Sequence, residues 1–427
     1  MNILSLAFRN LWYKPLTALL SVLLFALSIG LIALLLNLRA QADDQFDNNL
    51  AGINLVVGAK GSPLELVLNS MYHVGYPNGN IPLGKVKAFF NPQHPIVEAA
   101  VPLSLGDSYL GYRIVGTTAD LIDWYGGVLV EGKAFAKDFE AVVGEEVARK
   151  NGLRIGSTFR SSHGIIDEGA DRVEHDGEFV VTGVLAASGT VLDQIVLTTN
   201  QTYWHSHEAH DAEGGHAGHD HDHAAHDHDH DHAEVTTLME EDPEKEITSI
   251  LVRYKNPSSF QALSFPRNIN ENTDLLAANP AYEISEVRRQ FDTGQRLLGV
   301  LVVAITIVSA LSIFISLFTS LRERRYELAL LRVLGAGRPR LFALIVAEGL
   351  IVAVIGYGLG ILLAHAILTL LAADISGEFR YSLDAWRFLP EEFWLLAGAV
   401  LLGLVAAIIP AIQAARTDIG ETLTGEG

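Results

Sequence analysis

The stretch LRERRYELALLRVLGAGRPR, residues 321–340, carries Arg322, Arg324, Arg325, Arg332, Arg338 and Arg340 against only Glu323 and Glu327. Two long apolar runs, roughly 297–319 and 341–372, flank it. About 20 apolar residues at 1.5 Å rise each cross the hydrocarbon core of a bilayer, so the basic stretch reads as a loop between two transmembrane helices. Short loops rich in Arg and Lys stay in the cytoplasm. That assignment orients the rest of the chain.

Two more runs, 16–38 and 394–415, are apolar enough to span, and 49% of the 427 residues are hydrophobic against 19% charged. The first run has a rival reading as a signal peptide, since Lys14 precedes it and Ala40-Gln41-Ala42 resembles a cleavage site. Its length exceeds the usual apolar region of about 7–15 residues, and Arg39 interrupts the cleavage end. It is therefore expected to remain as a span. Arg9, Lys14 and Arg416 place both termini in the cytoplasm, while Asp43, Asp44, Asp47, Asp374, Glu378, Glu391 and Glu392 fall on the other side.

The expected fold class is an α-helical membrane protein with four transmembrane helices and a large mixed α/β extracytoplasmic domain, 39–296, between the first two. Residues 1–15 form an interfacial amphipathic helix, because Leu4, Ala7, Phe8 and Leu11 fall on one stripe. Residues 320–340 form the cytoplasmic helix, 373–393 a short outer loop and 416–427 a cytoplasmic tail. In the outer domain, YRIVG (112–116), FVVTGVL (179–185), QIVLTT (194–199) and TSILVRY (248–254) read as strands between Gly, Asn and Asp punctuation. Ser62, Pro63 and Glu65 make a capping box that starts a helix there. The glycines before it, with Lys60, have a second reading as an anion nest.

A net charge of −20 argues against nucleic acid. With no cysteine, a thiolate metal site is excluded. Within these residues there is no G-x-x-x-x-G-K-[ST], no G-x-S-x-G and no H-E-x-x-H, so nucleotide hydrolysis, nucleophilic hydrolysis and zinc proteolysis lack their usual side chains. The chain is expected to be non-catalytic and to require no cofactor.

Eleven of its sixteen histidines lie between 205 and 232: His205, His207, His210, His216, His219, His221, His223, His226, His228, His230 and His232. They interrupt the outer domain with no apolar periodicity, so 205–245 is expected to be a disordered insertion. Imidazoles alternating with carboxylates bind zinc or another divalent transition metal; the rival reading is a solubilising spacer. Inside the spans the conspicuous ionisable groups are Glu348 and His365. Such a group is a functional candidate by default, with a hydrogen-bonding role for Glu348 and a packing role for His365 as the alternatives.

The segments SLAFRNLWYKPLTALLSVLLFALSIG (5–30), RERRYELALLRVLGAGRPRLFALIVAEGLIVAVIGYGLG (322–360) and IPAIQAARTDIGETL (409–423) resemble the membrane blocks of the MacB/FtsX/LolE superfamily of ABC-transporter permeases. GYRIVGTTADLIDWYGGVLVEGKAF (111–135), AVVGEEVARKNGLRIGSTF (141–159) and FVVTGVLAASGTVLDQIVLTT (179–199) are similar to the periplasmic core domain of MacB-like permeases. The resemblance implies an inner-membrane subunit partnered by a separate ATPase, by a second permease chain (homo- or heterodimer) and by membrane lipid. It implies that ATP-driven motion is transmitted to the periplasmic domain. The residues add that the helix over 320–340 is apolar on more than one side: Leu330, Val333 and Leu334 share one side, Leu328 and Leu331 point elsewhere, and Arg322, Arg325 and Arg332 take a third. With Tyr326, Glu327 and Gly335 these are the expected ATPase-coupling residues. An FtsX-like regulator of a cell-wall hydrolase and a metal-ion permease stay open, as does a periplasmic metal-binding or lipoprotein partner.

Overall fold

The computed structural model describes residues 3–11, 15–164, 174–214, 241–378 and 383–416. Helices α1 (Ile3–Leu11) and α2 (Pro15–Leu50) open the chain. β1 (Leu55–Ala59), α3 (Pro63–Met71), β2 (Ile81–Pro82) and α4 (Leu83–Val86) follow, then β3 (Val97–Tyr109) and β4 (Tyr112–Thr117). Next come α5 (Asp120–Trp124), β5 (Leu129–Gly132), β6 (Glu140–Val143), α6 (Glu145–Asn151), β7 (Thr158–His163) and β8 (Glu174–Leu185). After β9 (Ile195–Thr199) and α7 (Asn200–Gly214), the chain continues through β10 (Glu246–Ile247), β11 (Ser249–Tyr254), α8 (Phe260–Asn272) and β12 (Leu275–Ala278). Four helices close it: α9 (Pro280–Glu323), α10 (Arg325–Val333), α11 (Arg338–Glu378) and α12 (Pro390–Arg416).

The chain divides into a helical unit, 1–42 with 290–427, and an α/β unit, 43–289. Four helices, α2, α9, α11 and α12, are long and apolar enough to cross a membrane. α2 and α9 have 36 and 44 residues, more than the roughly 20 that a bilayer needs. Each is a continuous helix across the division between the units.

Small residues let the helices of the bundle approach closely. A Cβ on Gly360 would lie 2.7 Å from the Ala26 carbonyl oxygen, and one on Gly30 would lie 2.9 Å from that of Gly360, so α2 and α11 meet backbone to backbone. Gly349 and Gly403 do the same for α11 and α12. Hydroxyls tie α2 to α9: Ser28 to Thr306 at 2.7 Å, Ser21 to Ser312 at 3.2 Å, and Ser309 donating to the Leu24 carbonyl at 2.9 Å. Between these contacts pack Phe25, Ile29, Ile313, Leu317 and Val352.

The α/β unit is built on a ten-stranded mixed sheet of order β12-β1-β11-β3-β4-β9-β6-β8-β5, with β7 pairing β3 and β8 beside that path. β3 changes partner along its length: Val97–Leu103 pairs β11 and the remainder pairs β4 and β7. Thr248 secures the change, donating its amide to Leu103 at 2.8 Å while its hydroxyl accepts from the Leu105 amide at 3.0 Å. The β3–β4 turn has positive φ at both Leu110 (47°) and Gly111 (80°), the primed geometry that matches the twist of a hairpin. The strand stretches read from sequence lie in β4, β8, β9 and β11. At α3, Ser62 accepts from the Glu65 amide at 3.3 Å with Pro63 at the first helical position. Lys60 donates to the Asn270 carbonyl at 2.8 Å rather than joining an anion nest.

His94 in this unit accepts at Nδ1 from the amides of Val97 (2.9 Å) and Ile96 (3.2 Å) and stacks on Phe89. An acceptor nitrogen must be unprotonated, and burial, with the nearby Lys255 charge, pushes the imidazole below its ordinary value. Below the unfolded value of about 6.5 the unfolded chain therefore binds more protons, and stability falls as pH drops toward the folded value. Thermal unfolding of the full chain between pH 7.5 and 5.5 should show a decline that is smaller in His94→Asn, whose amide oxygen accepts without titrating.

Candidate functional site

α9 ends and α10 begins at Arg324, where the backbone leaves helical geometry (φ −104°, ψ 17°). The Arg324 guanidinium reaches two carboxylates, Glu327 at 3.0 Å and Glu348 at 3.5 Å. Glu348, on α11 and 2% exposed, also accepts from Asn10 of α1 at 2.6 Å. One buried carboxylate thus joins α1, the start of α10 and α11. Breaking such a charged contact from one side leaves an uncompensated group, so the three elements are held as a unit.

α10 uses its two apolar sides differently. Leu328 and Ala329 are buried, with Leu331 half-buried, against Ala7, Leu341, Leu344, Ile345 and Ala411. Leu330 (47%), Val333 (57%), Leu334 (76%) and Tyr326 (61%) are exposed on the opposite side. Arg322, Arg325 and Glu327 are exposed beside them, and Arg332 is half-buried. Gly335 ends the helix: at φ +97° it donates to Arg332 while the next amide, Ala336, donates to Leu331 at 2.9 Å, a Schellman-type stop that favours glycine. In α1, Ala7 is the stripe residue that packs inward, while Leu4 (60%) and Phe8 (49%) are exposed; the Leu11 side chain lies outside the described residues.

His365, 1% exposed, packs at the far end of the helical unit. Its ring lies over Trp386 and Phe388 and beside the buried Glu392 of α12.

The histidine insertion begins differently from expectation. Residues from His205 onward were expected to lack structure, but α7 runs on through Gly214. The helix continues because α7 is anchored before the histidines begin: Asn200 donates to Ser104 Oγ and to the Gly116 carbonyl, and Trp204 Nε1 donates to the Glu246 carbonyl at 2.6 Å. His205 and His207 belong to that folded surface. His205 Nδ1 lies 2.9 Å from Asp138, and His207 packs on Tyr203 with Nε2 3.6 Å from Asp107. Burial and the Asp107 charge push the Tyr203 hydroxyl up to about 12. His210 lies in α7, and its side chain is outside the described residues, as are His216, His219, His221, His223, His226, His228, His230 and His232. Among the described residues no three His, Asp or Glu side chains form a metal-binding group.

The model of the MacB-like periplasmic core domain matches residues 16–265, and that of the FtsX-like permease C-terminal region matches 299–419. The chain belongs to the MacB/FtsX family of ABC transporter permeases. An uncharacterized ABC transporter permease of Mycobacterium tuberculosis is 30% identical over 35% of the chain and 19% of its own length. The macrolide export ATP-binding/permease protein MacB of Escherichia coli is 23% identical over 42% of the chain and 28% of its own length. An uncharacterized ABC transporter permease of Methanocaldococcus jannaschii is 30% identical over 31% and 35%. The chain therefore aligns with only about a fifth to a third of these relatives. Membership of an ABC permease family, with four helices long and apolar enough to cross a bilayer, points to a membrane location.

Sequence reasoning selected Glu348 but passed over Asn10 and singled out Arg324 no more than its neighbours. Glu348→Ala in the full-length permease should lower stability by about 3 kcal/mol, the order found when one partner of a buried ionic contact is removed. Glu348→Gln, which keeps an acceptor for Asn10, should lose less. Thermal unfolding in detergent checks both the loss and the ranking.

Proposed function

We propose that this permease is the membrane subunit of an ABC system of the mechanotransmission type, in which a separate ATPase docks on the exposed face of α10. The observation that carries the reading is the pairing of a buried inner face with an apolar outer face flanked by arginines. Tyr326, Leu330, Val333 and Leu334 offer apolar contacts to a cleft, while Arg322, Arg325 and Arg332 offer charge to its rim. The link from α10 to Glu348 and α1 would pass a push on this helix into the bundle. Continuous α2 and α9 would carry it to the α/β domain.

In this reading the chain lies in the bacterial inner membrane with both termini in the cytoplasm and the α/β domain in the periplasm, consistent with the arginines of 322–340. Two permease chains, alike or different, act with two ATPase chains on a periplasmic or membrane-derived substrate. A path for a metal ion needs successive ligands to replace lost water, whereas Glu348 is engaged by Asn10 and Arg324; this favours transmission over a conduit. Replacing both Leu330 and Val333 by Asp should release the ATPase on purification and abolish permease-dependent ATP hydrolysis, because charge facing an apolar cleft costs several kcal/mol unless paired. Full co-purification with unchanged hydrolysis would remove α10 as the docking element.

The histidine insertion is read as a collector of zinc or a similar divalent metal that adds to the system without being its cargo path. Its base is closed by Trp204 to Glu246 and by Gln201 to Glu241 at 3.0 Å, so a shorter connection between them adds little closure entropy. Deleting 216–232 should leave unfolding of the full chain unchanged and abolish zinc binding in calorimetry. In the intact chain zinc binding should weaken from pH 7.5 to 5.5, because a metal ligates only the unprotonated imidazole and metal binding by histidine competes with protons. Zinc binding that survives the deletion would place the metal elsewhere.

A further inference from the structure

Outside the coupling site, α2 and α9 enclose a small charged cavity. Its walls are Arg39 of α2 with Asp292, Gln295 and Arg296 of α9, around a volume of about 220 Å³. Asp292, Gln295 and Arg296 stand three and four residues apart, so they share one face of α9. The pairing of the helices brings Arg39 to that face. Ser21 meets Ser312 and Ser28 meets Thr306, and the same antiparallel register sets Arg39 opposite residues 294–295.

Arg39 Nη2 lies 3.7 Å from Asp292 Oδ1, with 56% and 40% of the two side chains exposed. That separation is an ion pair without a direct hydrogen bond, and exposed pairs of this kind are worth little to a fold. A ligand can therefore engage both groups at small cost.

The level of the cavity defines what surrounds it. The apolar runs 16–38 and 297–319 end at Arg39 and Arg296, so both guanidiniums stand at one boundary of the hydrocarbon core, on two helices long and apolar enough to cross a membrane. Inward from Arg296, a Cβ on Gly299 would meet nothing within 4 Å. Val300 and Val303, next along that face, are exposed, and Leu35 and Leu36 below Arg39 are half-buried. The cavity thus gives onto open apolar surface.

Charge selects the occupant. Two guanidiniums and one carboxylate make the cavity net positive with a single negative point inside it. Guanidinium forks match the oxygens of a phosphate, while the carboxylate suits an ammonium. Inorganic phosphate would use the arginines, yet it would meet Asp292 as a like charge and leave the apolar surface uncovered. A glycerol headgroup brings no cation to Asp292. A phospholipid that carries both a phosphate and an ammonium, as phosphatidylethanolamine does, answers all three charges and lays its acyl chains over Val300 and Val303.

We propose that Arg39, Asp292, Gln295 and Arg296 form a binding site for one phosphoethanolamine headgroup at the bilayer boundary, which holds a lipid in the groove between α2 and α9. The phosphate sits between the two guanidiniums, with the ammonium beside Asp292 and the Gln295 amide donating to a phosphate oxygen. Such a lipid clamps the two helices beyond Ser28 and Thr306. The site requires α2 and α9 to cross a bilayer and is independent of what docks on α10 and of any metal.

Native mass spectrometry of the full-length permease in a neutral detergent tests the site. The probes are dioleoyl phosphatidylethanolamine, dioleoyl phosphatidylglycerol and inorganic phosphate, and the reading is the affinity of the first adduct against that of later, unspecific ones. Wild type should bind one phosphatidylethanolamine more tightly than any further copy and about tenfold more tightly than phosphatidylglycerol, the size of one charge-assisted contact. Phosphate should leave no adduct. Arg39→Gln and Arg296→Gln should each weaken the first phosphatidylethanolamine about tenfold. Asp292→Asn should keep a first lipid but lose the preference over phosphatidylglycerol. The later adducts are the control for folding, because a variant with an altered fold changes them as well, and the loss of affinity in one pair of variants against the loss of selectivity in the third separates recognition from general damage. Equal first adducts of the two lipids on wild type, an affinity that neither arginine variant changes, a preference that survives Asp292→Asn, or a phosphate adduct as strong as the lipid would each overturn the site.

Discussion

A carboxylate inside a helical bundle must be hydrogen-bonded and paired or it drives the helices apart, and Glu348 is where this permease meets that demand. Its partners come from well-separated parts of the sequence, Asn10 near the start and Arg324 at the break between α9 and α10. α10 consequently has a fixed root as well as an apolar underside, and the direction of its exposed face is set by both. The same contact joins the first helix to the two segments that the FtsX-like region supplies.

The remaining polar groups of the helical unit obey the same economy. Hydroxyls of Ser21, Ser28 and Ser309 bond across to α9 or its neighbours. The second carboxylate, Glu392, is met by Asn37 and His365. Between these polar contacts the interior is filled by Phe25, Ile29, Leu317, Val352 and small residues. Such a bundle is held by packing and a few placed hydrogen bonds.

Local signals were legible in the sequence and long-range ones were not. About 20 apolar residues in a row have few other readings, and the Ser62-Pro63-Glu65 cap states its helix within four residues. The two-sided apolar pattern of α10 was readable because helical periodicity separates Leu328 and Leu331 from Leu330, Val333 and Leu334 without any knowledge of a partner. By contrast, Asn10 and Glu348 are 338 positions apart and Asn37 and Glu392 are 355 apart, and no spacing rule links them. Nor could Arg324 be told from five neighbouring arginines whose charge serves orientation equally well. The extension of α7 past His205 was hidden because its support lies outside its own sequence, in Ser104, Gly116 and Glu246. His205 and His207 consequently looked like part of a uniform histidine tract, although each has an aspartate of the folded domain for a neighbour.

Gly30 and Gly360 bring α2 and α11 together with no side chain between them, near the middle of both expected spans. A contact between bare backbones resists separation by dispersion and resists sliding through neighbouring side chains, but it offers little resistance to a change of crossing angle. The geometry of a fulcrum follows. With a hydrocarbon core of about 30 Å, each face lies about 15 Å from the contact, so a tilt of about 10° moves the two ends of α11 by about 3 Å in opposite senses. A displacement applied beside Glu348, about 18 Å from the contact at 1.5 Å per residue, would thus reappear reversed, and reduced to less than half, beside His365, about 7.5 Å beyond it.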